Sequence, residues 1–452
     1  MLPAAGQRSR MVKEAMTHVP RQEAELVRAI GRWSMVALAV NLILGSAIFG
    51  LPSTLAALIG TASPLAVLIA GAGSGVIVAC YAEVASQFAE TGGTYLYMRR
   101  AFGRLAGLEV SWMALLARLT ACAASLNLLV AYLGEFWPGV TDTVPRLILV
   151  TLFIGTLAAV NYFGVSGGAR MSNIAATAKI GALGLVCVVG LGWLVFHPAV
   201  HTQAATVSDP DGWLKAMLLL LFAYGGAESA LIPMGEARNP RGDVVFALFM
   251  ALLIITALYS SVQFIVMGML ADPAHSQRPL ADVARLVLGR PGAVLISLAA
   301  VLSVYGFLTA NLLTVPRGMF ALAERGDFPA PLGAIHPRWR TPYVSIVLFA
   351  GCLWLFALFA NFSWNVTLSA VARILYYGGV CAAVPVLRRL QPGAATFRLP
   401  GGPLFPILGI AICALLLTRV DFSKSVILLI TILIALVNWL VVRGRGTVPL
   451  SA

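Results

Sequence analysis

Long apolar stretches separated by short polar ones run the length of the chain. A helix that crosses a bilayer needs roughly 20 apolar residues. About twelve stretches meet that measure, near 33–59, 64–88, 105–133, 144–162, 173–196, 214–234, 244–270, 292–315, 342–360, 366–387, 404–419 and 424–442. Two of them are interrupted by small residues, at GSAIFG (Gly45–Gly50) and at YGGAES (Tyr224–Ser229). In hydrocarbon every backbone N–H and C=O needs a partner, so a broken helix persists only where it lines a protected cavity. Each interruption opens one of two successive runs of five spans. Interrupted segments at matching positions of two halves are the sequence mark of a carrier with a solute site at mid-depth.

The pattern therefore predicts an all-α polytopic membrane protein built as a five-plus-five inverted repeat. Residues 33–196 form the first repeat and 197–391 the second, after a tail at 1–32; two further spans and a second tail occupy 392–452. An odd number of spans per repeat turns the second half upside down, so the two broken helices run antiparallel and meet. Spans 11 and 12 lie outside the repeat and read as peripheral, suited to a homodimer contact. The stretch Ala281–Gly289 reads as a short amphipathic helix over the outer face, and residues 317–342 as the longest inner loop.

Composition agrees with a membrane class: of 452 residues, 60% are hydrophobic and only 11% charged, with mean hydropathy +0.90. The first apolar run is too long for a secretory leader and lacks a small-residue cleavage site, so no leader is expected. A formal charge of +13 would suit nucleic acid, but the cations are spread over short loops between spans, the pattern that sets membrane orientation. With the N-terminus inside, most Lys and Arg fall on the inner side, among them Arg99, Arg100, Arg104, Arg238, Arg241, Arg325, Arg338, Arg388 and Arg389. An even number of spans then places both termini in the cytoplasm. All six cysteines lie in apolar stretches without the spacing of a metal site.

The interruptions carry the candidate chemistry. Gly45, Ser46 and Ala47 break span 1, and Leu51-Pro52 is expected to restart it, since Pro is tolerated in a first helical turn. The restarted helix would aim free N–H groups and a positive dipole end at the break, which suits a carboxylate. In span 6, Gly225 and Gly226 would free carbonyls that accept from an ammonium group. Donors on one side and acceptors on the other fit a zwitterion.

At this point several stretches carry a resemblance: GSAIFGLP (45–52), GGTYLYMRRAFG (92–103), ALLARLTA (114–121), NYFGV (161–165), FAYGGAESALIPMGEARNP (222–240), LAERGDFP (322–329) and ARILYYGG (372–379). From about residue 30 to 405 the chain resembles the amino acid–polyamine–organocation permeases, most of all their L-amino-acid transporter branch. The resemblance implies the fold named after the bacterial leucine transporter, alternating access, and a substrate whose α-carboxylate and α-amino groups are held by the two broken helices. By position it implies Ile43, Gly45, Ser46 and Ala47 on the carboxylate side. Phe222, Ala223 and Gly225 fall on the amino side, with Phe222 as an aromatic gate. The family usually has Gly where this chain has Ala47, a departure beside the expected carboxylate. Some members resembling this chain pair with a glycoprotein subunit through an extracellular cysteine; the loop Gly134–Arg146 has none, so no such disulfide-linked partner is expected.

Lys179 in span 5 is one of only four lysines against 27 arginines. An ammonium inside the membrane is costly, so Lys179 is expected either to exchange a proton in coupling or gating, or to act as a charged strut on carbonyls of broken span 1. Arg could not release a proton there. The resemblance implies that this ammonium takes the place of sodium in sodium-coupled relatives. A proton is therefore the expected coupling ion, and sodium dependence and other cofactors are not expected. Glu228, just past the second break, could stabilise the unwound segment or help relay a proton. Arg118 and Arg373 are expected to pair with carbonyls or lipid headgroups, and Glu83 and Glu109 to reach toward water from span ends.

The expected function is secondary transport of neutral, mostly hydrophobic L-amino acids, as proton symport or amino acid exchange, in a bacterial inner membrane. Cationic amino acids or polyamines are the alternative cargo. An ion channel would need repeated rings of carbonyls or charges. A membrane-embedded enzyme would need a nucleophile beside a base, or a metal cluster. The pattern provides neither.

Overall fold

The computed structural model describes residues 30–90, 92–164, 168–197, 209–232 and 234–444, with backbone alone at 168–178 and 235. The expected tails lie outside these residues apart from their inner edges. Every regular element of length is helical: α1 (Arg32–Ile43), α2 (Ala47–Ile59), α3 (Ser63–Ala85), α4 (Gly93–Phe102), α5 (Arg104–Leu133), α6 (Thr143–Phe163), α7 (Gly168–Phe196) and α8 (Pro210–Tyr224) form the first part. They are followed by α9 (Pro240–Met269), α10 (Pro279–Glu324), α11 (Tyr343–Phe359), α12 (Phe362–Leu390), α13 (Leu404–Leu417) and α14 (Phe422–Val442). The fold is that of an all-α polytopic membrane protein. Nine stretches of the described residues are long and apolar enough to cross a membrane by themselves, and the shorter apolar helices α1, α11 and α13 fill the remaining expected spans.

Both interruptions are present. α1 stops at Ile43 and α2 starts at Ala47; α8 stops at Tyr224 and gives way to short 3-10 turns at Ala227–Leu231 and Met234–Glu236. The first restart comes earlier than the Leu51-Pro52 expectation. Pro52 sits inside α2, where its missing N–H costs a helical hydrogen bond. The bond is lost from Ile48 O. The second span resumes as 3-10 turns instead of an α-helix.

Gly289 (φ 67°, ψ −160°) divides α10 into a short leading helix and the long helix after it. The leading helix buries Leu280, Ala281, Val283 and Ala284. The loop expected at 317–342 is shorter than predicted, because α10 continues to Glu324 and a 3-10 turn follows at Ala330–Gly333.

Polar side chains tie the helices at both ends of the bundle. At the end where α1 begins, called here the near end, Asp327 is fully buried and receives Arg99 at 2.9 Å, Arg104 at 2.8 Å and the Tyr95 hydroxyl. Burial, aided by the Asp327 acceptor, pushes the Tyr95 phenol up to about 12, which keeps it a donor. Asn438 of α14 donates to Asp327 O at 2.8 Å, so the last span is wired into this cluster and is not merely peripheral. Glu83 does not reach toward water: it is fully buried and takes two bonds from Arg388, at 2.6 and 2.7 Å, and one from Leu399 N–H at 2.9 Å. Glu109 is half-buried, with one of its carboxyl oxygens buried without a hydrogen-bond partner. At the opposite, far end Glu135 holds Arg278 at 3.1 Å and Arg285 at 2.6 Å, fixing the leading helix of α10 to the end of α5.

Candidate functional site

The last carbonyls of a helix have no partner within it, and at the end of α1 each meets another part of the chain. Asn41 O receives Lys179 Nζ at 3.2 Å, and Leu44 O receives the same ammonium. Ile43 O receives Gly45 N–H at 2.7 Å and the Tyr259 hydroxyl at 3.3 Å. Leu42 O faces the second break so closely that a Cβ on Gly226 would lie 2.5 Å from it. Lys179 is therefore placed as a cap on α1, at the edge of the site.

At the start of α2 the chain offers donors. Ser46, Ala47 and Ile48 are buried, and their N–H groups have no backbone acceptor among the described residues. The Ser46 side chain accepts from Ser125 of α5 at 2.9 Å. In front of Gly45 there is room, since a Cβ there would meet only Ile43 O, at 3.8 Å. Free N–H groups at a helix start and space beside them suit a carboxylate. Ala47 adds its methyl to the first residue of this helix.

The second break is built more rigidly. Phe222, Ala223 and Tyr224 close α8, all buried. Ala223 O receives the Tyr259 hydroxyl at 3.1 Å, so one phenol of α9 bridges carbonyls of both breaks. Ala223 O keeps a second lone pair for an ammonium group, whereas Ile43 O already accepts from both Gly45 N–H and Tyr259. Gly226 has φ 124°, a backbone conformation that side-chain-bearing residues rarely adopt. Its N–H donates to Glu228 Oε2 at 2.8 Å.

Glu228 is the organiser of this segment. Its carboxylate also takes Arg373 at 2.5 Å, Tyr376 at 3.1 Å and Tyr377 at 3.0 Å, all from α12. A buried ion pair is tolerable when hydrogen bonds satisfy its remaining positions, and here the unwound backbone supplies one of them. Gly225 lies under the Arg373 guanidinium, 2.6 Å from it at the Cβ position. Arg118 of α5 reaches Ser229 and approaches Asn311 at 3.5 Å. Both arginines thus brace the second break through side chains, where carbonyl or lipid pairing was expected.

The structure brings Ile43, Gly45, Ser46, Ala47, Phe222, Ala223, Gly225 and Glu228 to two adjoining breaks, with Lys179 behind the first. Sequence reasoning missed Tyr259 and Ser125, which sit in unbroken helices and carry no local signal. The ends of the two interrupted spans are also joined: Ile30 N–H donates to Glu236 O at 3.0 Å and Arg238 N–H to Ile30 O at 2.9 Å. Among the described residues no cluster of His, Cys, Asp and Glu could hold a metal.

Comparison with known proteins agrees with this geometry. The profile of a family described as amino acid permease matches residues 30–432. The chain is 27% identical to a serine/threonine exchanger of Bacillus subtilis, over 85% of this chain and 89% of that protein. It is 26% identical to a branched-chain amino acid permease of the same organism, over 92% and 93%. A putative arginine/ornithine antiporter of Bacillus subtilis is 28% identical over 72% of this chain and 75% of its own length.

Proposed function

Since the chain belongs to the amino acid permease family, we propose that it carries neutral, mostly hydrophobic L-amino acids across a bacterial cytoplasmic membrane by alternating access. It is a transporter, not an enzyme. The observation that carries the reading is the adjoining pair of breaks: N–H groups of Ser46, Ala47 and Ile48 without a backbone acceptor among the described residues for the carboxylate, and the Ala223 carbonyl for the ammonium. Phe222 closes α8 beside them as the apolar gate.

Charge supports a neutral side chain. The groups bonded to the two breaks are Lys179, Arg118 and Arg373 against the single carboxylate Glu228. Even with Lys179 deprotonated, cations remain in excess, and like charges in a low-dielectric site repel strongly. A cationic amino acid or polyamine is the weaker reading for that reason. We further propose that the proton, not sodium, is the coupling ion where coupling occurs. In this reading Lys179 releases its proton once the near end opens to the cytoplasm.

The test is a thermal-shift screen of the purified protein against the standard amino acids and polyamines, because a ligand of the folded state raises the melting temperature by mass action. Neutral amino acids should raise it; stabilisation by cationic ligands alone would overturn the substrate class. Radiolabel uptake with and without a pH gradient, and with and without internal substrate, then separates symport from exchange.

A further inference from the structure

Against the second break lies a small cavity of about 20 Å³ between α3, α8, α9 and α12. It is too small for an amino acid and large enough for one water molecule, which needs roughly 10–15 Å³. Its walls include Ser74 and Tyr81 of α3, Tyr224 at the end of α8, Glu228, and Tyr377 of α12. Most of these polar groups are already engaged: Tyr224 donates to Val67 O at 2.9 Å, Tyr377 donates to Glu228, and Tyr81 pairs with Thr94 at 3.3 Å. Ser74 is the exception. It is 6% exposed, and its hydroxyl oxygen is buried without a hydrogen-bond partner.

A buried hydroxyl left unpaired costs free energy, and an apolar residue at this position of α3 would have avoided that cost. We propose that a resident water molecule occupies this cavity and links Ser74 of α3 to the polar side of the second break. The bonding capacity matches. Ser74 O–H donates to the water, and the water's two hydrogens meet phenol oxygens of the wall, which retain acceptor lone pairs, whereas the four positions of Glu228 are already taken. The water makes the unwound segment answer to α3 as well as to α12, so the break moves with α3 when the bundle rearranges. This binding site is separate from the substrate site, and its existence does not depend on the cargo.

The experiment is a density map of the full-length protein at about 2 Å or better, where buried waters with three partners are visible. A peak within hydrogen-bond reach of Ser74 Oγ is expected; an empty cavity in a map that resolves other buried waters overturns the proposal. Ser74→Val fills the space with methyl groups and removes the donor. It should abolish the peak and lower maximal uptake on the order of tenfold, the worth of one buried hydrogen bond. Thermal-shift affinity for substrate should stay unchanged. Wild-type uptake in Ser74→Val overturns the mechanical role. Ser74→Ala, which leaves the cavity open, should keep the density peak, so misfolding of the valine variant cannot mimic the result.

Discussion

At the residue scale, the two breaks differ in how tightly single side chains hold them. Gly226 has no freedom: its φ is 124° and its Cβ position lies 2.5 Å from Leu42 O. Gly226→Ala should therefore push the breaks apart, abolishing uptake and lowering the melting temperature; normal uptake would show that the contact between them is dispensable. Glu228→Ala would strand Arg373 in a buried setting, a change that costs about 3–5 kcal/mol when one partner of such a pair is removed. Thermal unfolding checks this, and a melting point within a degree or so of wild type would contradict it. Lys179 bonds the carbonyls of Asn41 and Leu44 at the end of α1, so both of its expected roles survive at the level of geometry. Lys179→Ala separates them: binding should persist in thermal shift while uptake is lost or ceases to follow a pH gradient. Wild-type, pH-independent uptake would remove the coupling role. Gly45 and Ser46 were legible in the sequence because a glycine followed by small residues weakens a helix in the middle of a span that apolar length marks as helical. Tyr259 was not, because a tyrosine in an intact helix looks the same whether it packs or bridges.

At the element scale, helix positions followed from apolar length, while the details of each break did not. Pro52 looked like a restart signal, yet α2 begins at Ala47 because tertiary contacts, not proline, decide where the N–H groups are left free. Those contacts include Ser125 on Ser46 and the Tyr132 hydroxyl on Phe49 O at 3.0 Å. The arginines were read from loop position alone, so their partners stayed hidden; Arg99 and Arg104 converge on one aspartate far along the chain. That convergence makes Asp327 a latch joining α4, α5, the end of α10 and α14. Asp327→Ala removes the carboxylate that Arg99 and Arg104 share and weakens the support for the Asn438 tether, so the near end should open more often. A cysteine introduced as Ser46→Cys should then react several-fold faster with an impermeant maleimide from the near side than in the Asp327 parent. Equal rates would mean that the latch does not control access.

At the scale of the whole molecule, the distribution of cations makes a claim about orientation. Arg99, Arg100, Arg104, Arg238, Arg325, Arg388 and Arg389 fall at the near end of the helices, while Arg146, Arg278, Arg285 and Arg419 fall at the far end. Short loops rich in Lys and Arg stay in the cytoplasm because moving them across an energised membrane is disfavoured. The near end should face the cytoplasm, and with it the Asp327 latch and the junction of Ile30 with Ala237. Gln391 and Thr141 report on the two ends, since both are exposed, one after α12 and the other before α6. In intact cells an impermeant maleimide should label Thr141→Cys and spare Gln391→Cys, with the order reversed in inside-out vesicles. Most native cysteines are buried, which limits background. The opposite labelling would invert the carrier. The Lys179 proton would then leave to the outside, a direction that an inward proton gradient cannot drive, so the symport reading would fall with the topology while the geometry of the two breaks would stand.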